Sequence, residues 1–383
     1  MAITVVKEPT GIVPLDRAEW GFQLSDGGTD PIVKKLAYQL FDGGGIPLTK
    51  RRIVDYAPFP FYFDASSIIG AILKTPMPDP ALAVQEVPEA IDEFYVEYGE
   101  IHYDIDANTT TEVGFTQTAT VYVVNSIRQF WDADTDIPNT IGFLTLKPSR
   151  LQLERDQEDW IYVVIGENTI FLRGEYTTNV PVTPYPPPPD PVTSLLSYRV
   201  YAINIGTNNN ILAYVPDAWK IKSAFLEFYR GLTTYKRFDI TYFNTAKGGY
   251  ILCHEAKGGF SSIGFDEIQY GAVRQIDTFR QHSPKLTYAE EMVQNGLHVA
   301  NSKSYVEVTF RKNFRRSISA EEKAYYEAFL SSQAHFMYDL KNDNAFIKII
   351  VQGGSWKTRG EGNTIWEIAA RYHQDFEVLK SRI

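Results

Sequence analysis

The chain has 383 residues, of which 44% are hydrophobic and 22% are charged, and its net charge at pH 7 is -10. These values exclude a disordered, collagen-like or coiled-coil chain, the length favours two or three domains, and the negative charge argues against a general nucleic-acid binder, which must neutralise phosphates. Aromatic residues make up 14% of the chain. Since Tyr and Phe favour strands, this composition predicts a mainly β protein.

The sequence shows neither a membrane span nor a secretion signal. No apolar run approaches the roughly 20 residues that cross a bilayer, and MAITVVKEPT lacks a basic segment followed by an apolar one. Cys253 is the only cysteine, which excludes an intramolecular disulfide and a multi-cysteine zinc site. We therefore expect no membrane insertion.

Two proline-rich segments predict the domain boundaries. Residues 179–193 contain seven prolines, which forbid sheet pairing and favour an extended spacer. A weaker break lies in 74–90, which contains four. The predicted division is a β-module over 1–78, a β-sandwich module over 79–178, a linker over 179–193 and a β-rich C-terminal domain with short helices over 194–383.

The front half predicts short strands and one short helix. Alternating and β-branched residues predict strands over 119–124, 160–166 and 169–174. The short GEN sequence between the last two predicts a hairpin. The one helical pattern lies in 63–75, where Asp64 is placed to cap the first turn.

The back half predicts further strands around repeated glycine turns. Strands are predicted over 197–205 and 210–215 and in the sequences FDITYFN and YILCHE. AKGG begins at Ala246 and again at Ala256, which predicts two turns with positive-φ glycines around one strand. On that strand Cys253 and His254 point to opposite faces, so they cannot act as a nucleophile and base, and Cys253 is predicted to be buried.

The C-terminal region predicts a one-sided sheet covered by a helix. Thr287 with Glu290 and Ser319 with Glu322 have capping-box spacing, so each pair predicts the start of a helix. The second helix is expected to bury Tyr325, Tyr326, Phe329 and Leu330. The alternating strand SYVEVTFRK precedes it, and NAFIKIIVQGG and NTIWEIAARYHQDFEV predict a strand pair after it.

Two acidic clusters invite comparison with calcium sites. One contains Asp104, Asp106 and Asn108, and the other contains Asp132, Asp134 and Asp136. Both lack the glycine at position six and the glutamate at position twelve of an EF-hand loop. The six histidines show no metal-binding spacing. We therefore expect solvated loops, with no metal and no cofactor.

The most basic stretch contains Arg311, Lys312, Arg315 and Arg316. Its ordinary interpretation is a solvated strand end, and a contact with an acidic neighbouring subunit is second. Residues 1–191 carry 13 basic and 28 acidic residues, whereas residues 192–383 carry 24 and 19. The ordinary interpretation of this asymmetry is two solvated surfaces. It also suits head-to-tail contacts between subunits, in which Arg315 and Arg316 would meet the loop of Asp132, Asp134 and Asp136.

No catalytic motif is present. The chain has no GxSxG elbow and no dinucleotide fingerprint after a strand, and no pair of carboxylates stands out as a glycosidase would require. We predict that the protein is not an enzyme. Surface Tyr and Trp side chains leave sugar binding as an alternative.

The order of these patterns resembles a family of virion proteins encoded by tailed phages and prophages of Bacteroidetes. The resemblance spans nearly the whole chain. It is carried by FYFDASSIIGAIL, YVEYGEIHYD and GFLTLKPSRLQLERDQEDWIYVVIG in the front half, and by DITYFNTAKGGYILCHEAKGG, RSISAEEKAYYEAFLSSQAHFMYDL, AFIKIIVQGGSW and IWEIAARYHQDFE in the back half.

The resemblance implies a tail or baseplate component located in the virion and made in the host cytoplasm. It implies immunoglobulin- or fibronectin-like β-sandwich modules with a C-terminal α+β element, assembled in rings as a homo-oligomer with other virion proteins. The alternative is a module that binds a host-surface glycan or receptor, and a polysaccharide hydrolase is a third, weaker possibility. No catalytic residues carry over from the family.

Overall fold

The computed structural model describes residues 3–80, 82–127, 140–154, 157–178, 193–206, 221–243, 249–255, 257–276, 303–314, 318–332, 334–339, 345–359, 363–373 and 378–379. Over these residues the chain is mainly β, as the composition predicts. The helices are α1 (Ser66–Gly70), α2 (Ala320–Leu330) and the short 3-10 turns Leu15–Arg17 and Pro88–Ala90.

The strands are numbered in chain order. The first fifteen are β1 (Ile3–Lys7), β2 (Ile12–Pro14), β3 (Glu19–Leu24), β4 (Gly28–Thr29), β5 (Ile32–Asp42), β6 (Arg52–Asp55), β7 (Phe61–Asp64), β8 (Val84–Glu86), β9 (Ile91–Asp104), β10 (Thr109–Gln117), β11 (Val121–Val124), β12 (Ile141–Phe143), β13 (Arg150–Glu154), β14 (Trp160–Ile165) and β15 (Ile170–Thr178). The others are β16 (Thr193–Leu195), β17 (Arg199–Asn204), β18 (Ile221–Arg230), β19 (Thr233–Phe243), β20 (Tyr250–His254), β21 (Phe260–Gly264), β22 (Glu267–Ile276), β23 (Lys303–Phe314), β24 (Ala334–Asp339), β25 (Ala345–Arg359), β26 (Asn363–His373) and β27 (Val378–Leu379).

These strands form five sheets. Sheet 1 has the order β1-β3-β7, and sheet 2 has the order β2-β11-β9-β5-β4, with β6 paired to β5 and β10 paired to β9. Sheet 3 is β12-β14-β17-β8, and sheet 4 is β13-β19-β18-β15-β16. Sheet 5 is β21-β20-β24-β25-β26-β23-β22, with β27 paired to β25.

The chain divides into two compact units. The first contains Met1–Leu151, Glu158–Thr241 and Glu255–Phe260, and the second contains Gln152–Gln157, Tyr242–His254 and Ser261–Ile383. Neither unit is one continuous stretch of chain.

This division differs from the predicted boundaries at residues 78, 178 and 193. Strands β5 and β9 lie on opposite sides of residue 78, yet they pair from Ile32↔Asp104 to Asp42↔Phe94. Strand β15 pairs with β16 and β18, so strands before and after the proline-rich segment share a sheet. The segment itself lies outside the described residues apart from Thr193. Proline cannot donate a hydrogen bond to a sheet, so a proline-rich segment indicates only that the segment itself is not a strand. Such a segment can connect two strands of one sheet as readily as two domains.

Sheets 1 and 2 enclose the first core of the first unit. Trp20, Phe22 and Phe63 from sheet 1 join Leu36 and Phe94 from sheet 2 in one buried cluster. Helix α1 follows β7 within the predicted range 63–75, and Ile69 belongs to the same cluster. Asp64 Oδ1 accepts a hydrogen bond of 2.9 Å from Ser66 N, but the N-cap of the helix is Ala65, so Asp64 lies one residue before the predicted capping position.

Sheets 3 and 4 supply the second core. All six residues of β14 are buried, so both faces of this strand are covered. Phe143 of β12 makes edge contacts with Phe228 and Phe238 of sheet 4, with ring centroids 5.3 and 5.6 Å apart.

The predicted hairpin across the GEN sequence is wrong. Strand β14 lies in sheet 3 and β15 lies in sheet 4, so the chain turns from one sheet to another. Both edges of β14 are already occupied, by β12 and β17. Local turn chemistry is the same for both arrangements and cannot distinguish them.

In the second unit a helix covers one face of sheet 5, as predicted. Helix α2 begins with the capping box of Ser319 and Glu322. Tyr326 and Phe329 pack on Trp366, with centroids 5.0 and 6.1 Å apart. Strands β25 and β26 form the predicted antiparallel pair, in which Trp356 is opposite Trp366. The helix predicted from Thr287 lies outside the described residues, as does the strand predicted over 210–215.

The repeated AKGG turns have the predicted backbone. Gly249 and Gly258 have φ values of +68° and +100°, which only glycine adopts readily. Strand β20 lies between them, and Cys253 on it is fully buried, which confirms the prediction for that residue. Gly258 also passes close to the main chain, because a Cβ there would lie 2.1 Å from Asn125 O.

We expect Gly258→Ala to destabilise the protein by about 3 kcal/mol or more, since backbone strain and overpacking add together. Gly11→Ala is the matched control, because Gly11 also has positive φ but no atom lies within 4 Å of its Cβ position. It should cost only about 1–2 kcal/mol. Urea unfolding monitored by tryptophan fluorescence measures both, and equal losses would contradict the steric account.

Candidate assembly surface

Exposed apolar side chains follow one edge of the sandwich formed by sheets 1 and 2. Strand β7 ends sheet 1, and in the described residues β6 pairs only with β5. The chain from residue 46 to residue 62 contains β6 and the first two residues of β7, and we call it the edge segment. Its exposed apolar residues are Ile46, Ile53, Tyr56, Phe59 and Tyr62. Phe59 is 68% exposed and stands between Pro58 and Pro60.

Two of the exposed rings are held by close packing on glycine. Tyr62 lies across Gly21, so that a Cβ on Gly21 would be 2.9 Å from Tyr62 Cε1. Tyr56 lies on Gly27 in the same way, with Cδ1 2.9 Å from the position of a Cβ. Because each ring packs on a glycine, it has lost part of its conformational freedom before binding.

Ion pairs lie in sheets 1 and 2 beside the edge segment. Lys35 of β5 pairs with Asp55 at 2.7 Å, and Lys7 of β1 pairs with Glu19. Lys34 pairs with Asp26 at 2.7 Å. The hydrogen bond from Lys34 and that from Gly28 N lower the pKa of Asp26. Apolar groups flanked by charged groups are the arrangement found in many protein interfaces.

Outside the edge segment, Leu232 is a further exposed apolar residue, at the tip of the β18–β19 hairpin. Arg230 pairs with Thr233, so the turn contains only Gly231 and Leu232. Gly231 has φ +58°, and Leu232 is fully exposed. The hairpin is held near its tip, because Glu227 accepts hydrogen bonds from Arg173 at 2.5 Å and from Thr234 at 2.7 Å.

The predicted basic cluster is divided between the two faces of β23. Arg311 bridges two carboxylates on neighbouring strands, those of Glu267 and Glu367, each at 2.8 Å. Lys357 also pairs with Glu367. The hydrogen bonds from Lys357 and Arg311 lower the pKa of Glu367 below its ordinary value of 4.5.

Lys312 points to the opposite, buried face. It continues the buried alternation of Val308 and Phe310, and its Nζ donates a 2.7 Å hydrogen bond to Gly264 O. Burial lowers the pKa of Lys312. The expectation of a solvated strand end is therefore wrong for Lys312, because the alternation of the strand outweighs the preference of an ammonium group for water.

The other predicted interface residues cannot be placed. Arg315, Arg316, Asp132, Asp134 and Asp136 lie outside the described residues, so their pairing across a subunit interface stays a prediction.

The first acidic cluster forms the turn between β9 and β10. Asp104 Oδ1 accepts hydrogen bonds from Asp106 N at 3.0 Å and Ala107 N at 2.9 Å, and Asn108 has φ +49°. These bonds account for the cluster as a turn, as expected. In the described part of the chain no group of three or more His, Cys, Asp or Glu side chains is placed to hold a metal ion.

The sequence analysis did not identify the edge segment or Leu232. A signal was present in both cases. In the edge segment, apolar residues recur every three positions from 53 to 62. This period does not bury one face of a strand, and the two prolines exclude a continuous helix. At the hairpin, a glycine followed by leucine between two strand patterns is a turn that leaves the leucine in solvent.

Comparison with known proteins identifies no family. No protein-family model matches the chain, and no curated protein matches it. Among solved structures, one similar chain comes from the virion of a native gene transfer agent particle, with 7% identity and a TM-score of 0.21 over 34% of this chain and 95% of the other. Another comes from the tail of an empty gene transfer agent particle refined with C6 symmetry, with 10% identity and a TM-score of 0.23 over 36% and 98%. TM-scores this low carry no argument about fold or function.

Among the described residues, no helix is long and apolar enough to cross a bilayer.

We expect Glu367→Gln to destabilise the second unit by about 1 kcal/mol at neutral pH. A carboxyl whose pKa is lowered by folding contributes stability above its unfolded pKa and loses that contribution as the pH falls through its folded pKa. The difference between the variant and the wild type should therefore shrink below pH 4.5. Urea unfolding at neutral and acidic pH measures it.

Glu327→Gln is the matched control for this experiment. Glu327 forms an exposed helix pair with Lys323 at 3.6 Å, and such pairs contribute about 0.3–0.5 kcal/mol. A loss in Glu367→Gln that is no larger, or that stays constant with pH, would refute the role of the bridged carboxylate.

Proposed function

We propose that the protein is a structural component of a phage virion, a tail or baseplate protein that assembles in rings with copies of itself and with other virion proteins. It acts through interfaces and not by turnover. The observation that carries the proposal is the edge segment, in which fixed aromatic rings are exposed beside ion-paired charges. Membership of the Bacteroidetes phage family, which the sequence motifs resemble, is part of the same proposal.

The exposed side chains supply the driving force for assembly. Fully burying a Phe, Leu or Ile side chain contributes about 1.5–3 kcal/mol. The edge segment and Leu232 together expose six large apolar residues in the first unit. Since a few buried aromatic anchors dominate the energy of most interfaces, Phe59 and Tyr62 are the residues on which we expect binding to depend.

Charge supports contacts between unlike surfaces. The first half of the sequence is acidic and the second half is basic. A ring requires a head-to-tail contact in which two different surfaces of the same protein meet. Since the first unit holds 19 basic and 30 acidic residues and the second holds 18 and 17, this orientation would place an acidic unit against a nearly neutral one instead of two acidic units together.

A glycan- or receptor-binding module on the virion surface is the second candidate. Tyr56 and Tyr62 favour it, because rings fixed on glycine expose flat faces of the kind that stack on sugars. A glycan array distinguishes the two functions. Specific binding that is lost in Tyr62→Ser, with assembly unchanged, would support recognition.

We expect Phe59→Ser to abolish self-association of the purified protein while leaving its unfolding transition unchanged, because Phe59 is exposed and contributes little to the fold. Analytical ultracentrifugation over a concentration series measures the mass. Ile105→Ser is the control, since Ile105 is 50% exposed but lies in the β9–β10 turn outside the edge segment. Equal association of both variants would contradict assembly through the edge segment.

The location of the protein tests the virion role itself. Antibodies against the chain, detected by immunogold electron microscopy, should label the tail tip of purified particles of the phage that encodes it. Labels along the shaft or at the neck would overturn the baseplate position. Reproducible absence from intact and denatured particles would overturn the virion role.

A further inference from the structure

Lys147 and Asp159 form a fully buried contact in the first unit. Their side chains are 0% and 1% exposed, and Lys147 Nζ lies 3.0 Å from Asp159 Oδ1. The Nζ also donates a hydrogen bond of 2.8 Å to Trp160 O. The two residues sit beyond the paired ends of β12 and β14, where a hydrogen bond from Leu144 N to Tyr162 O continues the ladder toward them.

The chain on the Asp159 side of this pair is buried. Trp160, Ile161 and Tyr162 follow Asp159 and are all buried. Burial, together with the nearby carboxylate of Asp159, raises the pKa of Tyr162 well above its usual value. Ile205 N donates a 2.8 Å hydrogen bond to the main-chain oxygen of Asp159. The amine and the carboxyl group are thus held together away from solvent.

The segment that carries Lys147 is fixed as well. The buried carboxylate of Glu255 accepts hydrogen bonds from Thr145 Oγ1 at 3.0 Å and from Leu146 N at 2.7 Å. When two reacting groups are already held in contact, the reaction between them does not lose the entropy of bringing them together. Their effective concentration can then reach about 10⁵ M or more.

We propose that Lys147 and Asp159 condense to form an isopeptide bond inside the first unit. A proton first passes from the ammonium of Lys147 to the carboxylate of Asp159 across the contact, which gives a neutral amine and a carboxylic acid. The lone pair of Nζ attacks Cγ, the N–C bond forms, and one C–O bond breaks. The departing oxygen leaves as water with two protons, one from the acid and one from the nitrogen.

The reaction needs no oxidant, reductant or leaving-group donor. It also removes both buried charges, whose desolvation is unfavourable inside a protein. Water expelled from the buried site does not readily return, so the amide persists. This inference is independent of the proposed virion function, because it concerns the covalent structure of the folded chain alone.

The bond would close a loop of the chain. Residues 148–158 lie between the two side chains, and within them Gln152–Gln157 are counted with the second unit.

Mass spectrometry tests the proposal directly. The intact mass of the purified folded protein should be lower than the sequence mass by one water molecule. Trypsin does not cleave Lys147 before Pro148, so digestion should give one joined product of peptides 129–150 and 156–173, identified by tandem fragmentation. A full sequence mass in protein shown by circular dichroism to be folded would overturn the proposal.

Lys147→Arg is the matched control, because it keeps a buried cation but replaces the amine with a guanidinium, a much weaker nucleophile. Its mass should equal its sequence mass. Loss of water in both proteins, without the joined peptides, would place the dehydration elsewhere and refute the assignment. If Lys147→Arg does not fold, the presence or absence of the joined peptides in the wild type decides the question.

Discussion

Strand β14 is buried on both faces, and this burial constrains the rest of the first unit. A strand with two covered faces needs apolar side chains at every position, which Trp160–Ile165 supplies. It also needs partners on both edges, which β12 and β17 provide. Polar groups that enter this region must be satisfied internally, and Lys147 and Glu255 both bind main-chain atoms there. The buried contacts of Lys147 and Glu255 thus accompany this one central strand.

The edges of the first sandwich show the opposite situation. Strands β6 and β7 lie at edges, and proteins usually protect such strands from uncontrolled pairing. Here the charges of Arg52 and Asp55 protect β6, and Pro58 and Pro60 keep the connection between the two strands from pairing, while the aromatic rings stay exposed. The main chain of the edge is therefore made unsuitable for adding a strand, and its side chains are left available for a specific contact. This combination suits assembly through side-chain packing better than sheet extension.

Local patterns in the sequence predicted local structure well. Ser319 and Glu322 lie three residues apart and form the capping box through contacts that involve no distant residue. Gly249 and Gly258 also have the predicted positive φ, although Gly258 lies against Asn125 O, a distant contact that the turn sequence does not indicate. The alternation around Val308 and Phe310 also holds, and it extends to Lys312, where residue type alone misled the prediction.

Features that depend on which strands pair with each other could not be predicted from local sequence patterns. The GEN turn is identical in sequence whether it joins strands of one sheet or of two. The contact of Lys147 with Asp159 spans an intervening strand, and nothing in the spacing of the two residues indicates that they face each other. The edge segment could not be predicted without knowing both sheets, because the exposure of Phe59 and Tyr62 follows from their position at an edge and not from their residue type.

The interleaving of the two units limits how related genes can exchange parts. Each unit takes residues from three separate stretches, and between Gln152 and Phe260 the chain alternates between them. A single recombination crossover in that region would leave both units with residues from two different parents, including Glu255 and the Thr145 and Leu146 groups that it binds. Exchange of one intact unit would need several crossovers at once. Natural variants of this protein should consequently be inherited as whole chains, with the two units changing together.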